Sequence, residues 1–307
     1  MEPSHDGTAG FCYGYAVQSC VPLQYLRSGS SGISLHVTER DLRVEEPPEA
    51  PLLEWTRSPG HELHAKVYRA GAEYRMWTDL EGWFEIDAAN RSVTVPPCSD
   101  PVRREERFWG VPVSLCYLLR GDLGIHAAAV EVEGAGVLLA APGRSGKTTL
   151  AGAFLAAGHR LLSEDLSCCR SSPVPLLLPG PAMLRVRRDV HEQIEFPGTY
   201  PVAEDPQRIH LAVEEHLRGD GHPVPLRAAV FLREAEGTCR MERLMPQEVL
   251  PDLWTLSFKL PTDEDRARCF GDLVALANQV PVWNVYRQLT FGALPEVIET
   301  IIGTCLP

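Results

Sequence analysis

One short segment constrains the fold of this chain more than any other feature: residues 141–149 read Ala-Pro-Gly-Arg-Ser-Gly-Lys-Thr-Thr. An apolar run at 137–140 precedes this segment, and a stretch rich in Ala, Leu and Phe follows it at 150–157. The order predicts a strand, a glycine-bearing loop and a helix, with backbone N–H groups and the helix N-terminus directed at one spot. It is the context of a phosphate-binding loop.

The loop supplies most of the candidate nucleotide-binding residues. Lys147 is placed to reach the β- and γ-phosphates of ATP or another nucleoside triphosphate, and Thr148 to ligate Mg²⁺. Ala141 stands where the G-x-x-x-x-G-K-[ST] pattern has its first glycine, so we expect an ordinary extended backbone there. The predicted cofactor-binding set is Gly143, Arg144, Ser145, Gly146, Lys147, Thr148 and Thr149.

Composition sets the broad class of protein. The 307 residues suffice for one large domain or two modest ones, and 44% hydrophobic with 23% charged residues is typical of soluble globular chains. A net charge of −12 argues against non-specific binding to nucleic acid or to an anionic membrane. No signal peptide and no membrane span are recognisable, and the nine cysteines form no C-x-x-C pair. We therefore expect a cytoplasmic protein without a structural zinc site.

The chain divides into two predicted parts. Residues 1–99 predict a β-rich N-terminal subdomain, because short alternating segments are separated by Gly, Pro, Ser and Asn. Its clearest strands are Tyr13–Ser19, Ile33–Thr38, Ala65–Ala70 and Trp83–Asp87. Helical periodicity begins after residue 100, and Pro112 predicts a helix that starts near Gly110. We assign 100–307 to a second domain that carries the phosphate loop.

The second domain alternates strands and helices. Val130 and Val132 alternate with two glutamates, and Gly134-Ala135-Gly136 turns the chain back, which predicts a β-hairpin leading into the loop. The later predicted elements are a strand at 161–163, an ordered loop or edge strand at 173–181, a strand at 227–233, a helix at 263–277, a strand at 281–286 and a helix at 294–302.

Two acids follow the predicted strand 161–163. In a parallel or mixed sheet the end of that strand lies beside the phosphate loop, so Glu164 and Asp165 would face the metal and the transferred phosphoryl group. One carboxylate on Mg²⁺ and one taking the proton of an incoming hydroxyl form a sufficient catalytic set. A pair of solvated acids at a strand end is the alternative.

Three segments in order resemble the core of the HPr kinase/phosphorylase family: Gly124-Ile125-His126, the loop 141–149, and Gly-His-Arg-Leu-Leu-Ser-Glu-Asp at 158–165. The resemblance covers about residues 120–170. It implies the α/β fold of that family, a mixed sheet with a phosphate loop that is shared with ATP-dependent phosphoenolpyruvate carboxykinases. The implied catalytic residues are Glu164, Asp165, His126 and Lys147, and the implied metal ligands are Thr148 and Asp165. The family usually has Asp at the first acid, so the longer Glu164 leaves the roles of base and metal ligand exchangeable.

Outside this core the likeness is weaker. Tyr13-Gly14-Tyr15, Ser19, Val21-Pro22-Leu23 and Pro281-Val282 resemble a stand-alone branch of these kinases that occurs beside peptide natural-product genes and includes kinases of lasso-peptide precursors. The glycine- and arginine-rich loop that supports phosphorolysis in HPr kinases is not recognisable. Basic residues near that region are candidate phosphate or substrate contacts, with a solvated basic strand edge as an equal alternative: Arg185, Arg187, Arg188 and, more weakly, Arg208.

These features predict an ATP- and Mg²⁺-dependent kinase whose acceptor is an alcohol group, either a serine on a peptide or a hydroxyl of a small metabolite. A flanking apolar or edge-strand groove would favour the peptide, whereas a closed polar pocket would favour the metabolite. The alternatives are a nucleotide-binding regulator with little or no phosphotransfer and a carboxykinase acting on a small carboxylic acid. The oligomeric state is left open, with a homo-oligomer as one alternative.

Overall fold

The computed structural model describes residues 8–29, 32–42, 44–56, 63–141 and 145–306. The chain is a mixed α/β protein with a β-rich N-terminal region, as the sequence predicts. Eight strands of that region form one sheet in the order β1-β2-β3-β8-β7-β6-β5-β4. They are β1 (Thr8–Cys12), β2 (Tyr15–Ser19), β3 (Ile33–Glu39), β4 (Leu53–Thr56), β5 (Leu63–Ala70), β6 (Glu73–Thr78), β7 (Gly82–Asp87) and β8 (Ser92–Val95).

Two helices follow this sheet, where the sequence predicts one. They are α1 (Pro101–Trp109) and α2 (Val111–Leu119). The predicted start near Gly110 is correct for α2, but a whole helix precedes it. Local interactions start α1 at Pro101. The Asp100 side chain caps the helix by accepting a hydrogen bond from the Arg103 backbone N–H, and Pro101 occupies the first turn.

The rest of the chain alternates strands and helices around a second sheet of ten strands. In chain order the elements are β9 (Leu123–Ile125), β10 (Ala127–Val132), β11 (Ala135–Ala140), α3 (Lys147–Ala156), β12 (Arg160–Ser163), β13 (Ser167–Arg170), β14 (Leu176–Leu178), β15 (Met183–Arg187), α4 (Arg188–His191), β16 (Thr199–Glu204), β17 (Arg208–Val213), α5 (Glu215–Arg218), β18 (Val224–Glu234), β19 (Arg240–Leu244), α6 (Pro246–Leu256), β20 (Ser257–Phe258), α7 (Asp263–Gln279), β21 (Val282–Arg287), a 3-10 turn (Phe291–Ala293) and α8 (Leu294–Cys305).

The predicted hairpin is confirmed and sets the direction of the strands at the site. β10 and β11 pair antiparallel, and the two turn residues Glu133 and Gly134 both take positive φ, at 50° and 80°. Such a turn matches the twist of the flanking strands. β12 pairs antiparallel with the other side of β10. β11 and β12 therefore run in the same direction, and both end at the same edge of the sheet.

The strand at 227–233, the helix at 263–277, the strand at 281–286 and the helix at 294–302 are confirmed as β18, α7, β21 and α8, each with small differences at its ends. The prediction of a loop or edge strand at 173–181 needs a correction. β14 lies between β13 and β18, so it is an interior strand. The prolines on both sides indicated a loop or an edge strand. The three leucines between them are nevertheless long enough to pair with both neighbouring strands.

Helix α6 and a third sheet, in the order β15-β17-β16, were not predicted. Alternating side chains of the central strands fill two different cores. Ala128 and Val130 of β10 pack with α3 and α8, whereas Ala127 and Ala129 pack on the opposite face among residues of α6 and α7. The second sheet is thus covered by helices on both faces, with α3 buried between the sheet, β15 and α8.

The core of the N-terminal sheet continues across the predicted boundary at residue 100. One buried cluster contains Leu35 and Phe84 from the sheet, Tyr117 from α2, and Cys168 and Leu178 from the second sheet. The division into 1–99 and 100–307 therefore remains a prediction. Within the described residues, no helix combines the length and the apolar character needed to cross a membrane.

Candidate active site

The predicted phosphate loop, residues 141–149, follows the end of β11 and runs into the first turn of α3. Pro142, Gly143 and Arg144 lie outside the described residues, so the predicted roles of Gly143 and Arg144 stay predictions. Ala141 is fully buried and does not take a positive φ, which agrees with its replacing the usual glycine without strain. Gly146 does take a positive φ, at 75°, and provides the left-handed residue that starts α3.

Lys147 is the first residue of α3, and it points back across the loop. Its Nζ donates a hydrogen bond to the Ala141 carbonyl oxygen at 2.7 Å, and the residue is 8% exposed. Burial lowers the pKa of the Lys147 ammonium, and the carboxylates of Asp165 and Glu164 oppose that shift. A partly desolvated ammonium gains more from a phosphate than an exposed lysine does.

The two acids follow β12 at the same edge of the sheet, yet their surroundings differ. Glu164 is buried, and its Oε1 accepts a hydrogen bond from Thr148 Oγ1 at 2.5 Å. Half of the Asp165 side chain is exposed, and its Oδ1 lies 3.3 Å from His126 Nε2. Arg185 bridges the two acids, with Nε 3.1 Å from Glu164 Oε2 and Nη2 2.7 Å from Asp165 Oδ2.

The charge state of Asp165 follows from these neighbours. Partial removal of the carboxyl from water raises its pKa, but the Arg185 guanidinium and the His126 hydrogen bond lower it by more. The net result is a pKa below the ordinary value for aspartate. Asp165 is therefore ionised at neutral pH and available to accept a hydrogen bond from a hydroxyl group.

The four candidate arginines have different positions. Arg185 contacts both acids, and Arg187 borders the cavity beside the phosphate loop while it pairs with Asp189 at 2.6 Å. Arg208 borders the same cavity, because β17 pairs with β15 and sets Arg208 opposite Arg187. Arg188 borders neither cavity at the site and pairs with Glu204 at 3.0 Å. The structure thus brings three of the four to the acids and the loop.

Arg287 is a candidate site residue that no sequence motif indicated. It ends β21, is 4% exposed, and its Nη2 donates to the Ser145 carbonyl oxygen at 2.8 Å. Its Nε is buried with no hydrogen-bond partner among the described residues. An unsatisfied guanidinium N–H against the phosphate loop suits an anion. The only sequence signal was an arginine directly after the predicted strand 281–286.

Two cavities meet at the acids. The smaller, of about 390 Å³, borders Lys147, Thr148 and Arg287, and the larger, of about 1,100 Å³, opens toward the N-terminal sheet and α1. We call them the loop cavity and the large cavity. Five residues border both of them: His126, Glu164, Asp165, Arg185 and Arg208. The two cavities therefore adjoin at these side chains.

The donor set beside the loop fits Mg²⁺ held jointly with phosphate. Among the described residues, no three or more His, Cys, Asp or Glu side chains are grouped to hold a metal. The Thr148 hydroxyl and the Glu164 carboxylate supply two adjacent oxygen ligands, and Mg²⁺ commonly combines one or two protein oxygens with substrate phosphates. The sequence paired Thr148 with Asp165, whereas the structure places Glu164 against Thr148.

No family model and no curated protein matches this chain. A similar solved structure is that of the HPr(Ser) kinase/phosphatase from Coxiella burnetii. The two chains are 12% identical, and the alignment covers 59% of this chain and 93% of the other, with a TM-score of 0.32. A likeness at that level assigns neither the fold nor the activity, so the functional argument depends on the residues of the site.

Proposed function

We propose that this protein is an ATP- and Mg²⁺-dependent kinase that transfers a phosphoryl group to a hydroxyl. The meeting of two cavities at Glu164 and Asp165 is the observation that carries the proposal. The loop cavity has side chains that suit a nucleotide, and the large cavity would give a second molecule access to the same acids. A protein that only binds a nucleotide has no need of the second access.

On the donor side, Lys147, Arg287 and the backbone N–H groups of the α3 N-terminus would hold the phosphates. Thr148 and Glu164 would hold Mg²⁺. When bound, Mg²⁺-ATP supplies the phosphoryl group, and the metal offsets the negative charge of the phosphates. The sequence left open which of the two acids binds the metal and which acts as the base. We assign the metal to Glu164, because Glu164 and not Asp165 contacts Thr148.

On the acceptor side, Asp165 would orient the hydroxyl and take up the proton that it loses. Its half-exposed carboxylate borders the large cavity, and His126 and Arg185 fix its direction. A carboxylate with a low pKa is a weak base, so positioning contributes more here than proton abstraction does. A strong base is not required, because the catalysis of phosphoryl transfer depends mainly on positioning and charge stabilisation.

The walls of the large cavity favour a serine on a peptide as the acceptor, with a small metabolite as the alternative. β4 and β20 are the end strands of their sheets, and both border the cavity through Trp55, Thr56, Ser257 and Phe258. Edge strands and apolar side chains are the features by which extended peptides are bound. The volume of about 1,100 Å³ also exceeds what a small metabolite fills.

A phosphoryl-transfer assay tests the proposal. Wild-type protein, Lys147→Ala and Glu164→Ala are incubated with γ-labelled ATP, Mg²⁺ and a panel of peptide and small-molecule alcohols, and products are identified by mass spectrometry. We expect a gain of one phosphate on an acceptor with the wild type, and a loss of at least about a hundredfold in each variant. Full activity of Lys147→Ala would contradict the kinase assignment.

The same assay tests the alternative function, that of a nucleotide-binding regulator with little or no phosphotransfer. Tight ATP binding with neither transfer nor hydrolysis by the wild type would favour a nucleotide-binding regulator over a kinase. Circular dichroism of each variant is the control for folding, because both substituted side chains are buried.

A further inference from the structure

The proposed function leaves the motif Tyr13-Gly14-Tyr15 without a role, although the structure places its first residue close to the two acids. β1 and β2 pair with Cys12 opposite Tyr15, so Tyr13 and Gly14 form the two-residue turn of a hairpin. Both turn residues take positive φ, at 52° and 73°. Such turns usually contain Asn, Asp or Gly, and a bulky side chain at positive φ is an outlier. Contacts outside the turn therefore stabilise tyrosine at this position.

Every polar group of Tyr13 bonds to the part of the chain after residue 100. Its backbone N–H donates to the Pro179 carbonyl oxygen at 2.7 Å, and its carbonyl oxygen accepts from Arg120 Nη2 at 2.7 Å. Its hydroxyl donates to the Leu166 carbonyl oxygen at 2.9 Å. These three hydrogen bonds hold the hairpin turn against the second sheet and offset the strain of its backbone.

The ring of Tyr13 is tightly enclosed. The residue is 2% exposed, and its ring lies edge-on to that of Tyr117, with 5.4 Å between the centroids. Gly180 leaves room for the ring, since a Cβ on that residue would come within 2.6 Å of Tyr13 Cε1. Burial raises the pKa of the Tyr13 hydroxyl, and the carboxylate of Asp165 adds to this shift. The hydroxyl therefore keeps its proton at neutral pH and remains a hydrogen-bond donor.

The acceptor of this hydroxyl lies in the short bend that contains both acids. Residues 164–166 connect β12 to β13 and belong to neither strand. Among the described residues, the Tyr13 hydroxyl makes the only hydrogen bond to the backbone of these three residues. The side chains of Glu164 and Asp165 have partners of their own, but the direction in which they leave the backbone depends on the bend. A hydrogen bond to Leu166 therefore acts on the carboxylate one residue before it.

We infer that Tyr13 is a positioning residue of the active site: its hydroxyl fixes the backbone after Asp165, so that the carboxylate stays directed at an acceptor in the large cavity. The inference rests on the proposed function for the role of Asp165. Tyr13 borders the large cavity with a buried ring, and it acts through the backbone of the bend. The β-rich N-terminal region thus completes the site, although it contains none of the proposed catalytic residues.

Two single variants separate this role from a purely structural one. Tyr13→Phe removes only the hydroxyl that reaches the bend. Tyr117→Phe is the matched control, because it removes a buried hydroxyl from the adjoining ring that makes no hydrogen bond with residues 164–166. Tyr13→Phe is also combined with Asp165→Asn. Circular dichroism verifies that each variant is folded.

Two measurements are made on each protein. Transfer from γ-labelled ATP to the panel of peptide and small-molecule alcohols gives the rate at saturating ATP and the KM for Mg²⁺-ATP. Hydrogen exchange of the segment 160–170, followed by mass spectrometry without ligands, reports how often the bend opens.

We expect Tyr13→Phe to lower the transfer rate at saturating ATP by about tenfold, because a small displacement of a reacting group has effects of that order. The KM for Mg²⁺-ATP should be unchanged, since the loop cavity is untouched. Exchange of 160–170 should become about fivefold faster, as the loss of one hydrogen bond implies. Tyr117→Phe should change none of these values. Adding Tyr13→Phe to Asp165→Asn should cause no further loss of rate, because Tyr13 acts through Asp165.

Unchanged exchange in Tyr13→Phe, a transfer rate in that variant close to the wild-type rate, an equal loss in Tyr117→Phe, or a further loss in the double variant would each overturn the inference. The exchange measurement needs no turnover and so separates the two proposals. Faster exchange in Tyr13→Phe, together with no transfer by the wild type, would leave Tyr13 as the residue that holds the bend and would contradict the kinase.

Discussion

At the scale of single residues, the two adjacent acids are chemically similar but have different partners. Glu164 is buried against Thr148, and Asp165 is half exposed between His126 and Arg185. We predict that Glu164→Gln raises the Mg²⁺ concentration for half-maximal activity by about tenfold or more, because one charged oxygen ligand is lost. Asp165→Asn should lower kcat by about a hundredfold, with the Mg²⁺ requirement little changed.

Titration of activity with Mg²⁺ at saturating ATP checks this assignment. The opposite pattern, with Asp165→Asn changing the Mg²⁺ requirement and Glu164→Gln changing only kcat, would restore the assignment that the family resemblance implies. The conservative variants keep the shape of each side chain, so we expect both variants to fold like the wild type.

At the scale of elements, Arg27 holds β12, the strand that precedes the two acids, by hydrogen bonds. Arg27 is 2% exposed, and it donates to the carbonyl oxygens of Leu161 and Leu162 in β12 and to that of Gly180. Its Nη1 also donates to the Arg218 carbonyl oxygen. Burial lowers the pKa of Arg27 to about 10, so the group stays charged at neutral pH.

We predict that Arg27→Met lowers the free energy of unfolding by about 3 kcal/mol or more, because several buried carbonyl groups lose their donor. Arg27→Lys should cost less, since it keeps the charge but reaches fewer carbonyls. Urea denaturation followed by fluorescence measures both values. A loss below about 1 kcal/mol in Arg27→Met would mean that water replaces the guanidinium.

A second contact between elements depends on the protonation of His210. His210 of β17 lies between Glu106 of α1, at 2.6 Å, and Asp205, at 3.2 Å, and Arg185 is its register partner on β15. The hydrogen bond with Glu106 raises the pKa of His210 above its ordinary value of 6.5, and burial opposes this. The stabilisation is therefore complete below pH 6.5 and is lost as the pH rises through the raised pKa.

We predict that His210→Gln costs about 2 kcal/mol of unfolding free energy near pH 6 and clearly less near pH 9. Denaturant unfolding of wild type and variant across this range gives the difference at each pH. A difference that stays constant, or grows with pH, would show that the histidine is not bound as the imidazolium.

At the scale of the whole molecule, the N-terminal sheet and the second sheet share a core. Tyr13 donates a hydrogen bond from its hydroxyl to the Leu166 carbonyl oxygen at 2.9 Å, directly after the acids. Buried residues of both parts belong to one cluster. We predict a single cooperative unfolding transition, with coincident midpoints by far-UV circular dichroism and by tryptophan fluorescence. Two separated transitions would support two independently folding domains at the predicted boundary.

Much of the loop side of the site was predictable because its signals are local. The hairpin, the start of α3 and the position of Glu164 and Asp165 depend on glycines, alternation and short spacing, which neighbouring residues decide. α1 was missed because the helical pattern was attributed to the residues after Gly110. The β15-β17-β16 sheet was missed because its proline-rich surroundings resemble loop sequence.

The sequence by itself determined the strand before residue 141, the helix that starts at Lys147, the order of the acids and the β-rich beginning of the chain, since each depends on residues close together in the chain. Only the tertiary structure decided the partners of each acid, the contact of Arg287 with Ser145, and the cavity between α1 and Asp165. These contacts link residues far apart in the sequence. Their geometry follows from strand order and register, which no local pattern encodes.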